Sequence, residues 1–549
     1  MPSQAPANVL LIRDPRHHHD PRGGDVLAEI IRGAGMNVTL TEDVSAVSHL
    51  AGGDFDCCML YTQGDTFTPA QVESLTQWVR GGGALVGIHT ATATNKTDDH
   101  YARLIGSRFI GHGPVFDFDV TVSDPTHPMA HRVQNYHVTD ELYLLKPFDD
   151  FRVFLTAYYN GKPQPLGYTK SEGKGRVVYL ANGHDPRSLT HSTVKQLVVR
   201  AVRWARGEDW SDKTVKVAAI GYGGAFNMGK LHMESAQRAG LTPVAVCDVD
   251  PKRAATAKTE IGDHILTSHR IEDLLCNSDA ELVVIITPHN THAPLAIQCL
   301  QSGRHVITEK PFTITVDEAT AVIDTAREHK KVATVFHNRR WDGDFLAIQQ
   351  IIASGAVGQV FHVECAFSKY EPPKVDWWRA YKEVSGSALH DWGAHFVDWM
   401  LQLLPHRIES VSGDFKKFKW PQASIEDFAA AYVRFEGGRS ASVEAGNACA
   451  VGKSRWRILG SLGGIEQKGW DMKDGLRVVS YRDGFRSDSI VPIGASDWDG
   501  FYRNVADHLL LGEALAVTPE SARKVIAVID LAERSSKQGG LPMKLPFES

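Results

Sequence analysis

Two segments carry residues able to do chemistry together. HVITEKPF holds Glu309, Lys310 and Pro311, and GSALHDWGAHFVDWM holds Asp391, His395 and Asp398. On a helix, 391, 395 and 398 are spaced i, i+4, i+7 and share one face. A lysine, a histidine and a carboxylate suit hydride transfer from an alcohol. One group must take the hydroxyl proton as hydride leaves carbon, and an imidazole with an ordinary pKa of about 6.5 is suited to it. A nearby cation stabilises the developing alkoxide. Taken alone, the same stripe fits a salt-bridged structural helix equally well. Trp377, Trp378 and Arg379 lie just upstream, where aromatic faces and a guanidinium suit a sugar ring or a packed core. Asn338, Arg339 and Arg340 follow an apolar strand and either line the same cleft or form a solvated turn.

A cofactor for that chemistry has a candidate site. Gly221, Gly223 and Gly224 follow the apolar run VKVAAI. Glycines there allow a tight turn and let backbone approach a pyrophosphate at a helix N-terminus. The G-x-G-x-x-G pattern is incomplete, with Phe226 in the third position and Gly229 beyond it. The next strand, VAVCD, ends in Asp248, 25 residues after Gly223. A carboxylate there bonds the adenosine ribose and repels a 2′-phosphate, which favours NAD. Lys252 and Arg253 keep NADP open.

A second set of candidates lies near the N-terminus, where residues 1–208 hold 12 of the 25 histidines. His89 directly follows the strand ALVGI, the place of a nucleophile in a strand–turn–helix elbow. A histidine there argues against amidotransferase-type cysteine chemistry. His17, His18 and His19, His112, His127, His137 with Glu141, and His184 with Asp185 complete the set. Each fits a structural role singly. Together with Glu141 they fit a metal site or an acid–base site, and spacing does not say which of them converge.

The elements that must position these residues read as α/β throughout. The chain of 549 residues starts a strand pattern twice, at ANVLLIR and again at TVKVAAIGYGG, with the polar stretch 206–214 between them. We read 1–208 as one domain, 215–335 as a dinucleotide-binding domain and 336–549 as a substrate-binding domain. In the first, the order of strands and helices, including TPAQVESLTQWVRGGG with Thr68 as cap and Pro69 at its first turn, predicts a parallel sheet covered by helices. From about 336, alternating stretches such as VFHVECAF and SASVEAGN predict an open, mainly antiparallel sheet.

Composition bounds the function. Net charge is −6, with 43% hydrophobic and 23% charged residues. This excludes the basic excess of a general nucleic-acid binder. No run of about 18 apolar residues marks a membrane span, and the N-terminus lacks the pattern of a secretory signal. Seven scattered cysteines without a CxxC pair read as reduced thiols of a cytoplasmic protein.

From Val215 to about Leu545 the chain resembles the Gfo/Idh/MocA oxidoreductase family. The likeness rests on VAAIGYGG, VAVCDVDPKRA, VVIITPHNTHAPLA, SGRHVITEKP, ASGAVGQV and the L-x-D-x-G-x-H-x-x-D run from Leu389 to Asp398. It implies a Rossmann domain followed by an α/β domain with an open sheet. It implies His395 as proton acceptor, Lys310 as the group that orients and polarises the hydroxyl, and Asp391 as the residue that tunes both. It places Thr287, Pro288, His292, Glu309 and Lys310 at the cofactor; Arg339, Trp378, Arg379 and Asp398 we read as the contacts to a carbohydrate substrate. It also implies a homo-oligomer, dimer or tetramer. Residues 1–208 resemble the ThuA-like, trehalose-utilisation family through GGGALVGIH, IGHGP, the THP segment, DELY and GRVVYLANGHD. That resemblance implies a flavodoxin-like or class I amidotransferase-like fold.

Three functions follow as expectations. One is a bifunctional enzyme in which the C-terminal part oxidises a ring hydroxyl, such as C3 of a glucoside, and the N-terminal domain acts on the keto-sugar, with or without a divalent metal. Another is a redox-neutral NAD-dependent glycosidase. The last leaves the N-terminal domain as a non-catalytic sugar-binding or assembly module.

Overall fold

The computed structural model describes residues 6–14, 22–210, 212–224 and 226–547, so His17, His18 and His19 lie outside the described residues. The chain divides into two compact units: Met1–Lys213 with Asp507–Ala514, and Thr214–Ala506 with Leu515–Ser549.

The first unit is built on one nine-stranded sheet. Its parallel half contains β1 (Asn8–Arg13), β2 (Asn37–Thr41), β3 (Cys57–Tyr61) and β4 (Ala84–Ile88). The other half contains β5 (Ser107–Val122), β6 (Tyr136–Pro147), β7 (Arg152–Tyr159) and β8 (Lys162–Glu172), and β9 (Gly175–Leu180) returns to pair parallel with β4. The order β2-β1-β3-β4-β9 is that of a flavodoxin-like sheet. β3 and β4 are buried at every position, which is why they read as unbroken apolar runs. The helix Pro69–Arg80 starts as its sequence predicts: Thr68 and Gln71 form a reciprocal capping box and Pro69 opens the first turn.

The parallel sheet expected for the whole domain is realised only in that half. Residues 107–172, which lie between β4 and β9 along the chain, fold as antiparallel strands that extend the sheet beyond β9. Their one-sided burial, alternating along β6, is the signature of a sheet with one solvated face. Residues 507–514 also join this unit, beyond the sequence boundary at 208. Arg200, fully buried, bonds Asp507 and Glu513 at 2.9 Å each, so that segment supplies the carboxylates its charge requires.

In the second unit, β10 (Lys216–Ile220), β11 (Thr242–Cys247), β12 (Leu266–Ser268), β13 (Leu282–Ile285), β14 (His305–Thr308) and β15 (Ala333–Val335) form a parallel sheet. Its order, β12-β11-β10-β13-β14-β15, is the doubly wound dinucleotide-binding arrangement, with the reversal beside β10. β12 is only three residues long, too short for a sequence pattern. A separate eight-stranded sheet runs from β16 (Val360–Ser368) to the strand Phe485–Val491 and is antiparallel except where β16 pairs with Arg439–Gly446. The helix Pro519–Lys537 packs on it through Val525, Val528, Ile529 and Ala532. Among the described residues no helix is long and apolar enough to cross a membrane.

Candidate active site

In the second unit a cleft of about 1350 Å³ opens at the carboxyl ends of β10, β11, β13 and β14. Gly221 makes the turn after β10, with φ of 98°; a Cβ there would sit 2.4 Å from the Ile286 carbonyl oxygen. Only glycine fits. Gly229 packs the following helix against the turn, where a Cβ would meet the Tyr222 ring at 2.7 Å. It thus does the helix–strand packing that the third glycine of the fingerprint does, three residues later than the pattern places it. Phe226, in the pattern position, is exposed and touches the Trp377 ring edge-on at 5.7 Å.

Asp248 lines the cleft at the end of β11. Its carboxylate accepts the Tyr222 and Asp250 backbone N–H groups at 2.8 Å each, which fixes it facing the turn with lone pairs left for ribose hydroxyls. Arg253 lines the same end. Thr287, Pro288 and Glu309 also line it. His292 does not: its ring is buried between the Pro311 and Thr287 carbonyls, at 2.8 and 3.0 Å, so the expected cofactor contact is replaced by a packing role. His289, three residues earlier, reaches the cleft instead. Its Nδ1 donates to the Ser385 carbonyl at 2.8 Å, and Nε2 is buried with no partner among the described residues. The sequence PHNTH offered both imidazoles; only the packing of the turn His289–Thr291 separates them.

The Lys310–Pro311 peptide is cis, and Lys310 projects into the cleft. Its ammonium donates to Asp391 Oδ1 at 2.6 Å. Burial would raise the Asp391 carboxyl, but the Lys310 and Arg379 cations hold it well below the usual carboxylate range. Arg379 Nε lies 3.8 Å from the same oxygen, and its guanidinium stacks on Trp377 and Trp378 at 4.4 and 4.3 Å. His395 lines the cleft beside them. Burial, then the charges of Lys310 and Arg339, push its imidazole far below the ordinary value, so it is neutral at neutral pH. Arg339 is held by Asp342 at 2.9 Å and lies over the Trp392 ring at 4.6 Å.

Asp391 sits in a π-helical turn, Leu389–Gly393, that leads into the α-helix Ala394–Leu403. A π-turn is wider than an α-turn of about 3.6 residues and recurs at functional sites. Asp391 and His395 both face the cleft, but Asp398 does not line it. Asp398 is 2% exposed and takes a bidentate pair from Arg340, at 2.5 and 2.8 Å. The substrate contact expected of Asp398 is therefore corrected: both oxygens are spent on a buried guanidinium. Arg340 is accordingly no solvated turn residue.

The first unit gathers a separate cluster. His89 directly follows β4, Glu141 lies on β6, and His184 follows β9. Glu141 Oε2 is 3.1 Å from His184 Nδ1 and 3.6 Å from His89 Nε2, and His112 Nδ1 is 3.3 Å from Oε1. Although burial works against it, His184 at hydrogen-bonding distance and the His89 imidazole beside it keep the Glu141 carboxyl well below its usual range. The same bond to Glu141 raises His184. His137 and Asp185 stay outside. His137 pairs with Asp119 at 2.9 Å on an exposed face, and Asp185 caps the Arg187 amide and pairs with its guanidinium. Asp140, absent from the sequence reading, fixes the turn that presents His184 by accepting from the Gly183 and His184 amides at 2.9 and 3.1 Å.

Residues 8–205 match the ThuA family model, described as trehalose utilisation. Residues 215–337 match the GFO/IDH/MocA oxidoreductase family with an NAD-binding Rossmann fold, and 345–466 match its C-terminal domain. The chain is 26% identical over 349 residues to scyllo-inositol 2-dehydrogenase (NADP(+)) of Bacillus subtilis, covering 59% of this chain and 94% of that protein. A glycosyl hydrolase family 109 protein of Shewanella pealeana is 30% identical over 184 residues, 31% of this chain and 40% of that protein. Among solved structures, an NAD-binding protein from Listeria innocua aligns with a TM-score of 0.55 and 26% identity over 61% of this chain and 98% of that one.

Proposed function

We propose, for a chain that belongs to the ThuA family in its first domain and to the GFO/IDH/MocA oxidoreductase family in the next two, that the second unit oxidises a ring hydroxyl of a sugar, glycoside or polyol. The observation that carries this reading is the Lys310–Asp391 pair at 2.6 Å in the cleft that also holds neutral His395. The residues fit a dinucleotide: a turn without Cβ atoms at Gly221, Gly223 and Gly224, and the Asp248 carboxylate beyond it. When bound there, a nicotinamide supplies the hydride acceptor. His395 takes the hydroxyl proton, and a neutral imidazole is the form able to do so. Lys310 donates to the same oxygen and stabilises the charge that develops on it. Asp391 aims the lysine through the 2.6 Å bond from its ammonium. Trp378 and Arg379, stacked on one another, offer a face and donors to the ring. Asp248 favours NAD, and Arg253 is the residue that would accept NADP.

The finer reading is that the product is a keto-glycoside, oxidised at C3 of a glucoside, and that the first unit then acts on it. A ketone at C3 acidifies the C2–H, so abstracting that proton lets a C1–C2 double bond form as the C1–O glycosidic bond breaks and the aglycone leaves as an alcohol. The Glu141 cluster holds a carboxylate and imidazoles able to move that proton. The test mixes purified protein with NAD and a panel of glucosides, inositols and trehalose, following NADH absorbance and products together. NADH with a keto-sugar is expected, and cleavage products should follow. Cleavage with no NADH accumulating would instead favour the redox-neutral glycosidase, a reading motivated by the similarity to a family 109 glycosyl hydrolase. Tight NAD binding without turnover of any panel member would count against the activity.

A further inference from the structure

The geometry of the first unit points to a divalent transition-metal site, of the zinc class, formed by His89 Nε2, Glu141 Oε2 and His184 Nδ1. These three atoms lie within 4.8 Å of one another. Two ligands each about 2.0–2.1 Å from a tetrahedral cation are themselves roughly 3.3–3.4 Å apart. The Glu141 oxygen lies 3.1 and 3.6 Å from the two nitrogens, on either side of that value. The longer separation is beyond a hydrogen bond.

His89 is oriented for metal rather than for a proton. Its Nδ1 is 2.6 Å from the Ala181 carbonyl, which can only accept, so Nδ1 holds the proton and Nε2 presents a lone pair. The residue is completely buried, and Nε2 has no hydrogen-bond partner among the described residues. A buried, unpaired acceptor aimed at a carboxylate is unfavourable without a cation between them. His89 also adopts φ of 44°, a left-handed conformation rare for a residue with Cβ, directly at the end of a fully buried strand. Strain of this kind persists where the surroundings hold a side chain in one position.

The surroundings are those of a ligand set. Asp140 fixes the Gly183–His184 turn from beneath, and the Tyr61 hydroxyl donates to the Gly183 carbonyl at 2.7 Å. His112 Nδ1 donates to the Gly113 carbonyl at 2.6 Å and faces Glu141 Oε1 at 3.3 Å, so it steadies the free carboxylate oxygen instead of binding metal through that nitrogen. Two imidazoles and one carboxylate leave a fourth position for water or a substrate oxygen, the arrangement of a catalytic rather than a structural site. A ligand with a carbonyl beside a hydroxyl would chelate there, and the cation would polarise the carbonyl. The site stands on its own geometry and does not depend on the keto-glycoside reading.

The test strips the full-length protein with a chelator and titrates it with Co²⁺ alone. One equivalent should bind with the visible bands of a four- or five-coordinate nitrogen–oxygen site, and Zn²⁺ should displace it. X-ray absorption at the zinc edge of the wild type should show imidazole and oxygen ligands. His89→Gln, Glu141→Gln and His184→Asn should each weaken Co²⁺ binding by more than about 100-fold, beyond the loss typical of outer-shell changes. NAD binding by the second unit should be unchanged, the chelator-stripped variants should melt cooperatively near the stripped wild type while gaining less stability from added metal, and His137→Asn should bind as wild type. The inference is overturned if wild type takes up no Co²⁺, if the edge spectrum shows sulfur or oxygen-only coordination, or if all three variants bind as before.

Discussion

In the proposed reaction the burden on His395 is to be neutral when substrate arrives, and on Lys310 to be charged. His395→Asn keeps the shape but removes the proton acceptor, so kcat should fall by about 10²–10⁴-fold while NAD affinity is retained. Stopped-flow NADH formation beside a cofactor titration separates the two. Lys310→Met should lower kcat similarly and also loosen the site, because Asp391 would lose its 2.6 Å partner. Asp248→Ala removes the cleft carboxylate proposed to bond the ribose, with Arg253 still in place. The ratio of kcat/KM with NADP to that with NAD should therefore rise, as measured by parallel initial rates.

At the scale of elements, the π-turn Leu389–Gly393 and the buried Arg340–Asp398 pair fix where Asp391 and His395 point. Asp398→Asn leaves the nearly buried Arg340 without its countercharge. Breaking such a pair typically costs about 3–5 kcal/mol, so chemical denaturation should show a loss of that order. KM should change less than stability, since Asp398 does not face the cleft. An unaltered melting curve with a raised KM would reinstate Asp398 as a substrate residue.

For the whole molecule, buried histidines set the response to acid. Burial lowers His289, His292, His337, His390 and His395 in the second unit, and lowers His127, His131 and His191 to about 4 in the first. In the unfolded chain these imidazoles protonate near about 6.5. The unfolded state therefore binds more protons below that pH, and stability present above it is lost as pH falls. His184, raised by Glu141, acts in the opposite sense and is outnumbered. Thermal melting from pH 8 to pH 5 should show the midpoint falling mainly below about 6.5. A separate prediction concerns the first unit. A fragment ending at Lys213 lacks Asp507 and Glu513 and strands the fully buried Arg200. Such a fragment should be less stable than the same unit in the full chain by about 3–5 kcal/mol, read by urea unfolding.

Much of this protein is legible without coordinates because local physics writes it. Buried parallel strands such as β3, β4 and β10 must be apolar throughout, Thr68-Pro69 must begin a helix, and Gly221 must lack a side chain where it meets Ile286. Lys310, Asp391 and His395 could be singled out because two short segments carry them, and both family resemblances rest on such runs. What the sequence does not contain is the direction of each side chain once the chain has folded. His289 and His292 are three residues apart in one turn, yet one lines the cleft and the other is sealed between carbonyls. Asp398 shares a helical stripe with His395 but is claimed by Arg340, 58 residues away. The convergence of His89, Glu141 and His184 depends on the antiparallel insertion that carries β6 across the end of β4. The carboxylates for Arg200 come from more than 300 residues along the chain. Such pairings are settled by long-range burial and charge compensation, which no spacing along the chain encodes.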